Sequence, residues 1–143
     1  MSSIQDVQNE IIGEFEILGD DKESTIFYIM ELGSNLPEFP DTERKDENII
    51  KGCQSKVWLT AGMKEDKIQF LADSNTDITK GLISLLIRVL SGRTPQEIIN
   101  AELSFIDKIG MGNIIGSQRS NGLAAMIKQM KLYALAYQAK QNA

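Results

Sequence analysis

The side chain best suited to covalent chemistry is Cys53, the single cysteine of a chain that contains no histidine. It lies at the start of a β-type run, in the sequence GCQSKVW at residues 52–58. One thiol without an imidazole excludes disulfides within the chain and Cys–His dyads, and it argues against nearly every zinc or iron–sulfur site built by one subunit. Because a thiolate can act as a nucleophile without a histidine base, we expect any covalent chemistry to centre on Cys53.

The neighbours of Cys53 bear on whether its thiol is functional. Gly52 allows a tight or left-handed backbone conformation, which would present the next side chain at a turn. Lys51 and Lys56 add positive charge nearby, and positive charge favours the thiolate over the thiol. The alternative is a small buried core residue, which is the commoner state of a lone cysteine. These residues alone leave the two interpretations evenly balanced.

Arg119 is the second candidate site residue, in the sequence SQRSNGL at residues 117–123. This segment is the predicted start of the last helix, where a positive charge opposes the helix macrodipole. Arg119 should therefore have a partner, or a role such as steadying an anion or a thiolate. The alternative is a solvated surface arginine, at a cost of about a few tenths of a kcal/mol. The sequence alone does not place Arg119 near Cys53.

Composition limits the classes of function. The net charge of −5 and the isoelectric point near 4.8 argue against binding to nucleic acid, which normally needs a basic face. The longest apolar block, residues 82–90, is too short to span a bilayer, and the N-terminus lacks the pattern of a signal peptide. We therefore expect a cytoplasmic protein with a reduced thiol and no membrane association. The sequence does not indicate an oligomeric state, and a monomer when the chain is alone is the default expectation.

The N-terminal half is predicted to contain two helices followed by a small sheet. Apolar residues recur at helical spacing from Ile4 to Leu18, and Asp20 is placed to cap a second helix that ends near residues 33–35. Residues 38–47 are rich in charge and are predicted to form a solvated connector. Residues 49–50, 56–61 and 67–73 are predicted strands, the last two joined by a hairpin at residues 62–66.

The C-terminal half is predicted to be helical. Asp77 should cap a helix that runs to about Leu90, and the sequence TPQE at residues 94–97 is a strong helix start. A short helix at about residues 101–109 and a glycine-rich turn at residues 110–112 precede the long last helix. The pattern predicts a single α+β domain over residues 1–143, with helices covering an antiparallel sheet of about three strands.

Five motifs, in order along nearly the whole chain, resemble the SufE family. They are IMELG with Leu36–Pro37 (residues 29–37), IKGCQSKVWL (50–59), Asp73–Ser74 with TKGL (79–82), TPQEI (94–98) and RSNGLAAM (119–126). The central motif resembles the family signature, and Lys56 and Asn121 are tolerable variations on the family pattern. A fold like that of the IscU-type scaffold proteins is implied, with the cysteine at a loop tip tucked toward an apolar hollow.

The resemblance implies a sulfur acceptor rather than a stand-alone enzyme. A pyridoxal-phosphate cysteine desulfurase of the SufS or CsdA type holds sulfur as a persulfide, and Cys53 would by position take that sulfur and stimulate the desulfurase. The sulfur would pass to a scaffold that assembles iron–sulfur clusters. Pyridoxal phosphate belongs to the desulfurase, so this chain is expected to bind no cofactor. We hypothesise that the cysteine loop swings out on docking and that Arg119 stabilises the thiolate or contacts the partner.

Three alternatives come from other classes of protein. In the first, the chain is a non-covalent activator of a desulfurase and Cys53 is incidental. The second, an iron–sulfur scaffold, is disfavoured by one cysteine and no histidine. The third, a thioredoxin-like oxidoreductase, lacks the C-x-x-C motif. The identity of the desulfurase and of the final sulfur acceptor stays open, as does any docking role of residues 38–47.

Overall fold

The computed structural model of the protein describes residues 2–142. Its helices and strands are, in chain order, α1 (Ile4–Leu18), α2 (Lys22–Ser34), β1 (Val57–Lys64), β2 (Lys67–Ser74), α3 (Asp77–Leu90), α4 (Pro95–Asn100), α5 (Phe105–Ile109) and α6 (Met111–Gln141). The predicted α+β class is confirmed. Within residues 2–142, no helix combines the length and apolarity needed to cross a membrane.

The sheet is one antiparallel hairpin, in which Val57 pairs with Ser74 and Lys64 with Lys67. The prediction of about three strands is slightly wrong, because within residues 2–142 the sheet has two. Ile49 forms only an isolated bridge to Trp58, and the Ile50 N–H donates to the Val57 carbonyl at 2.8 Å. This pairing stays short because the chain leaves a 3-10 turn at residues 46–48 and turns again at residues 51–52.

Both edges of the hairpin are covered by other parts of the chain. On the β1 edge, the Tyr137 hydroxyl donates to the Ala61 carbonyl at 3.0 Å, and the Tyr133 hydroxyl donates to the Leu59 carbonyl at 3.4 Å. On the β2 edge, the Ile68 N–H donates to the Arg93 carbonyl at 2.8 Å. Backbone groups at a sheet edge need such partners, so a two-stranded sheet is stabilised by the helices and loops around it.

The core centres on α3, whose buried side chains include Leu82, Ile83 and Leu86. Helices α2 and α3 cross closely at Gly81 of α3, which lies against Ile29 of α2. A Cβ atom on Gly81 would lie 1.9 Å from the carbonyl oxygen of Ile29, so this approach requires a residue without a side chain. The hydrophobic residues of the two helices and the hairpin form one contiguous cluster.

Helix boundaries differ from the sequence prediction at several places. The cap of α2 is Asp21, whose carboxylate accepts from the N–H groups of Glu23 and Ser24, rather than Asp20. The cap of α3 is Thr76, one residue before Asp77. The helix predicted over residues 101–109 is shorter, because the Gln8 amide accepts from the Phe105 N–H at 3.1 Å and donates to the carbonyl of residue 102 at 3.0 Å, which holds this segment outside a helix.

The predicted glycine-rich turn at residues 110–112 is partly wrong, because α6 already begins at Met111. The predicted helix start at Ser117 coincides with a break inside α6. Helix α6 is interrupted at Gly116, whose φ of 84° and ψ of 171° are not helical. The uninterrupted part of α6 therefore begins at Ser117, and Arg119 lies in its first turn.

The predicted solvated connector is anchored to the sheet. Phe39 is buried, and the Arg44 guanidinium lies 5.4 Å from the Phe39 ring and 5.5 Å from the Trp58 ring. Arg44 also forms an ion pair with Asp73 at the end of β2. Burial alone would raise the pKa of Asp73, but hydrogen bonds from Arg44, the Ser74 N–H and Lys80 lower it on balance. The connector is thus only partly a free loop, because Arg44 binds the Asp73 carboxylate of β2 and so attaches the connector to the sheet.

Candidate functional site

Cys53 lies on the loop of residues 51–56, called here the cysteine loop, which leads into β1. The thiol is half-buried, and its Sγ donates to the carbonyl oxygen of Gly122 in α6 at 3.5 Å. Gly52 has a φ of +98°, and a Cβ atom there would lie 3.2 Å from the Cβ of Ala125. The glycine therefore allows the turn that the sequence predicted, and it also allows the close approach of the loop to α6.

The thiol faces a cavity of about 120 Å³, called here the cysteine pocket. Three separate parts of the chain line it: the cysteine loop, the start of α3 and the first turns of α6 after Gly116. The lining residues are Cys53, Gln54, Ser55, Thr76, Ile78, Thr79, Leu82, Gln118, Arg119, Gly122 and Met126. Three of the motifs that are distant in the sequence are therefore adjacent in space.

Burial determines the ionisation of Cys53 in this conformation. Removal of the thiol from water raises its pKa above the ordinary value, because burial disfavours the charged thiolate. The expectation that Lys51 and Lys56 favour the thiolate is wrong for this conformation. Both lysines are exposed, so water screens their charge, and burial raises the pKa of the thiol despite them.

Gly122 shapes the pocket next to the sulfur. It is buried, and a Cβ atom at this position would lie 3.4 Å from Sγ of Cys53. The missing side chain leaves space beside the thiol, while the carbonyl oxygen of the same residue accepts a hydrogen bond from the thiol. A carbonyl can stabilise a protonated thiol but not a thiolate, so this contact also favours the neutral form.

A set of hydroxyl groups fixes the C-terminal half of the cysteine loop. Thr76 Oγ1 and Thr79 Oγ1 lie 3.0 Å and 3.4 Å from Ser55 Oγ. The Lys56 N–H donates to Oδ1 of Asn75 at 3.0 Å. This arrangement was not predictable from the sequence, because a whole hairpin separates Ser55 from the two threonines and no local pattern relates them.

Arg119 is exposed and lines the same pocket as Cys53. Within residues 2–142 its guanidinium forms no ion pair and no hydrogen bond to another side chain or carbonyl. The fold therefore brings the two candidate residues of the sequence analysis to one cavity, which sequence spacing could not do. Over the same residues, no group of three or more His, Cys, Asp or Glu side chains is arranged to hold a metal ion.

Comparison with solved structures relates this fold to a known protein. The solution structure of a hypothetical protein from Thermus thermophilus superposes with a TM-score of 0.73 at 17% identity. The alignment covers 91% of this chain and 94% of that one. The α+β fold, with helices over a small antiparallel sheet, is therefore shared by both proteins.

The sequence comparison identifies the family. Residues 9–134 match the model of the SufE family, described as an Fe–S metabolism associated domain, and the chain belongs to this family. It is 37% identical to an uncharacterised SufE-like protein of Rhizobium meliloti over 128 residues, which cover 86% of this chain and 91% of the relative. A SufE-like protein of Rhizobium etli is 38% identical over 128 residues, or 86% of each chain. The resemblance drawn from the motifs is confirmed, and with it a link to iron–sulfur metabolism and to cysteine desulfurases.

Proposed function

We propose that Cys53 accepts sulfane sulfur from the persulfide of a pyridoxal-phosphate cysteine desulfurase of the SufS or CsdA type. The Cys53 thiolate attacks the terminal sulfur of that persulfide. A new S–S bond forms at Cys53, the S–S bond of the desulfurase breaks, and the desulfurase cysteine leaves with the electron pair. The proton that Cys53 loses is balanced by protonation of the leaving thiolate. The sulfur changes carrier without net oxidation or reduction.

The observation that carries this proposal is the position of the thiol at the cysteine pocket. The half-buried Sγ has unoccupied volume of about 120 Å³ beside it. A persulfide is lost to oxidants and to stray thiols when it is exposed. A carrier should therefore hold its sulfur in a recess until a partner docks, and the pocket provides such a recess.

Activation of the thiol is the second part of the proposal. In the buried conformation the pKa of Cys53 is raised, so the neutral thiol predominates and reacts slowly. Movement of the cysteine loop toward the desulfurase would remove this burial. Gly52 supplies a pivot at one end, while Ser55 and Lys56 stay tied to residues 75–79 at the other end. Arg119 would then stabilise the exposed thiolate or contact the desulfurase.

Transfer of the sulfur restores the free desulfurase cysteine, so the chain stimulates desulfurase turnover. The carried sulfur then passes to a scaffold for iron–sulfur cluster assembly. Pyridoxal phosphate stays in the desulfurase throughout, and the chain acts as a transfer partner in the cytoplasm.

Desulfurase turnover with Cys53→Ser tests this function. If sulfur passes through Cys53, stimulation by the variant is lost although complex formation persists. A variant that stimulates as well as the wild type would instead support a non-covalent activator.

The role of Arg119 has a separate test. Arg119→Ala should slow sulfur transfer and Arg119→Lys should restore part of the rate, with Lys22→Ala as a control for an exposed cation elsewhere. Unchanged transfer rate and complex affinity in Arg119→Ala would discard the role of Arg119.

A further inference from the structure

A second cavity borders the cysteine loop at Lys51. Its volume is about 360 Å³, and it runs between residues 47–51 and the face of α6 that carries Ala125, Lys128 and Leu132. We call it the lysine groove. Ala125 is also the residue against which Gly52 packs. Lys51 of the cysteine loop borders the lysine groove, and Cys53, two residues further along the same loop, borders the cysteine pocket.

The groove carries positive charge on an acidic protein. Lys51 and Lys128 line it and are exposed, and within residues 2–142 neither of them forms an ion pair. Glu47 also lines the groove, but it lies 3.7 Å from the ammonium group of Lys45. The chain as a whole has a net charge of −5. Two unpaired lysines at one cavity are complementary to a carboxylate-bearing segment of another protein.

The same groove offers an apolar contact. Leu132 is 47% exposed, although it lies on a helix whose opposite face is buried in the core. Beside it, the ring of Tyr133 is held by the hydrogen bond from its hydroxyl to the Leu59 carbonyl at 3.4 Å. A fixed aromatic ring next to an exposed leucine is typical of a surface that receives an apolar side chain.

We propose that the lysine groove binds an acidic segment of the desulfurase, with an apolar residue of that segment against Leu132. This inference rests on the proposed function, because a donor that reaches Cys53 must also cover Lys51, two residues away. It adds a docking site distinct from the pocket in which the thiol lies. The groove would set the affinity and the approach of the donor, whereas Cys53 carries the chemistry.

Binding measured without sulfur transfer tests the groove. All variants are made in a Cys53→Ser background, and the probe is a pyridoxal-phosphate cysteine desulfurase that loads wild-type Cys53. Lys51→Glu with Lys128→Glu should raise the Kd at least tenfold at low salt, and the effect should shrink at high salt. Lys22→Glu with Lys64→Glu is the matched control, since both lysines are exposed, lie outside the groove and give the same change in net charge. The control should change the Kd less than twofold.

The apolar contact at Leu132 is tested with a variant and a matched control. Leu132→Ala should weaken binding severalfold, whereas Ile17→Ala, at a leucine-sized side chain that is 86% exposed on α1, should leave it unchanged. Circular dichroism confirms that every variant is folded.

If both groove variants bind like their controls while wild-type Cys53 still accepts sulfur, the lysine groove is not the docking site and the proposed function stands. If no desulfurase loads Cys53, both fail. A wild-type dimer that the groove variants dissociate would assign the groove to a second copy instead and overturn the proposal.

Discussion

The surroundings of Cys53 favour its neutral thiol over the reactive thiolate. Its thiol donates to the Gly122 carbonyl at 3.5 Å, and burial raises its pKa. A lone reactive cysteine with a lowered pKa would be alkylated or oxidised by any small reagent. Under the proposed function, this arrangement would keep the thiol neutral until the cysteine loop moves. Reactivity would thus depend on docking rather than on a fixed base in the chain.

The pH dependence of alkylation tests this account of the thiol. The midpoint of the rate–pH curve with iodoacetamide should be higher in the folded protein than in the unfolded chain, because burial raises the pKa of Cys53 above that of an ordinary thiol, about 8.5. The chain unfolded in urea is the control and should follow the ordinary curve. Since the folded pKa is the higher one, the contribution of Cys53 to folding stability is present below the unfolded pKa and lost as pH rises through the folded pKa. A folded curve at or below the unfolded one would contradict the account.

Gly122 gives a second test at the residue scale. Gly122→Ala would place a Cβ atom 3.4 Å from Sγ, which is tolerable for the thiol but reduces the space for an added sulfur. We expect near-wild-type stability but a persulfide that a small thiol removes severalfold faster. Gly112→Ala, in the same helix, is the control, since its Cβ atom would meet only Ser120 Oγ at 3.7 Å. Equal persulfide lifetimes in the two variants would show that the space beside Sγ is not used.

At the scale of elements, the α2–α3 crossing depends on Gly81. Gly81→Ala would place a Cβ atom 1.9 Å from the Ile29 carbonyl oxygen, so the helices must separate. We expect the free energy of unfolding to fall by about 3 kcal/mol, as in other overpacked cores. Gly13→Ala in α1 meets no atom within 4 Å, and it should raise the free energy of unfolding by up to about 1 kcal/mol through helix propensity. Urea denaturation measures both, and similar effects in the two variants would argue against the close crossing.

Helices α1 and α3 are joined by an ion pair. Arg88 donates two hydrogen bonds to Glu14, at 2.8 Å and 2.6 Å, and lies 3.5 Å from Glu10. The hydrogen bond from Arg88 is the main cause of the lowered pKa of Glu14. We expect Arg88→Ala to reduce the free energy of unfolding at pH 7 by about 1 kcal/mol, a small value because water screens the partly exposed pair.

Acid should remove this difference. The lowered pKa of Glu14 means that its contribution is present above the unfolded pKa and is lost as pH falls through the folded pKa. Denaturant titrations of wild type and Arg88→Ala should therefore converge in acid. Lys45→Ala, which removes an exposed pair with Glu47 at 3.7 Å, should have almost no effect at any pH. A difference that persists below the folded pKa would assign the effect of Arg88 to packing.

Helices were predictable from the sequence where their signals are local. The capping box at Thr94 and Glu97 and the apolar stripe of α3 are contained in short windows, and both are present in the structure. The prediction of a third strand at residues 49–50 was wrong, because two apolar residues fit a β pattern but are too few to form a ladder. The anchoring of the connector could not be predicted, because Arg44 pairs with Asp73, which is 29 residues away in the sequence, and no local pattern indicates that pair.

At the scale of the whole molecule, the candidate site is an assembly that only the fold creates. Cys53 and Arg119 could each be selected from residue type and motif, and the SufE resemblance was readable from five segments. Their meeting at one pocket could not be predicted, since it depends on how α3 and α6 pack beside the hairpin. The burial of the thiol likewise follows from that packing. Burial raises the pKa of Cys53, whereas the neighbouring lysines had suggested that the thiolate is favoured. The sequence shows which charges are near the cysteine, but it does not show how far water screens them.

The most direct measurement of the central claim is the intact mass of the protein after incubation with a pyridoxal-phosphate cysteine desulfurase and free cysteine. The account predicts a gain of one sulfur atom that a reductant removes, that maps to Cys53 and that is absent in Cys53→Ser. No added sulfur on the wild type, while desulfurase turnover is still stimulated, would contradict the account and leave a non-covalent activator in its place.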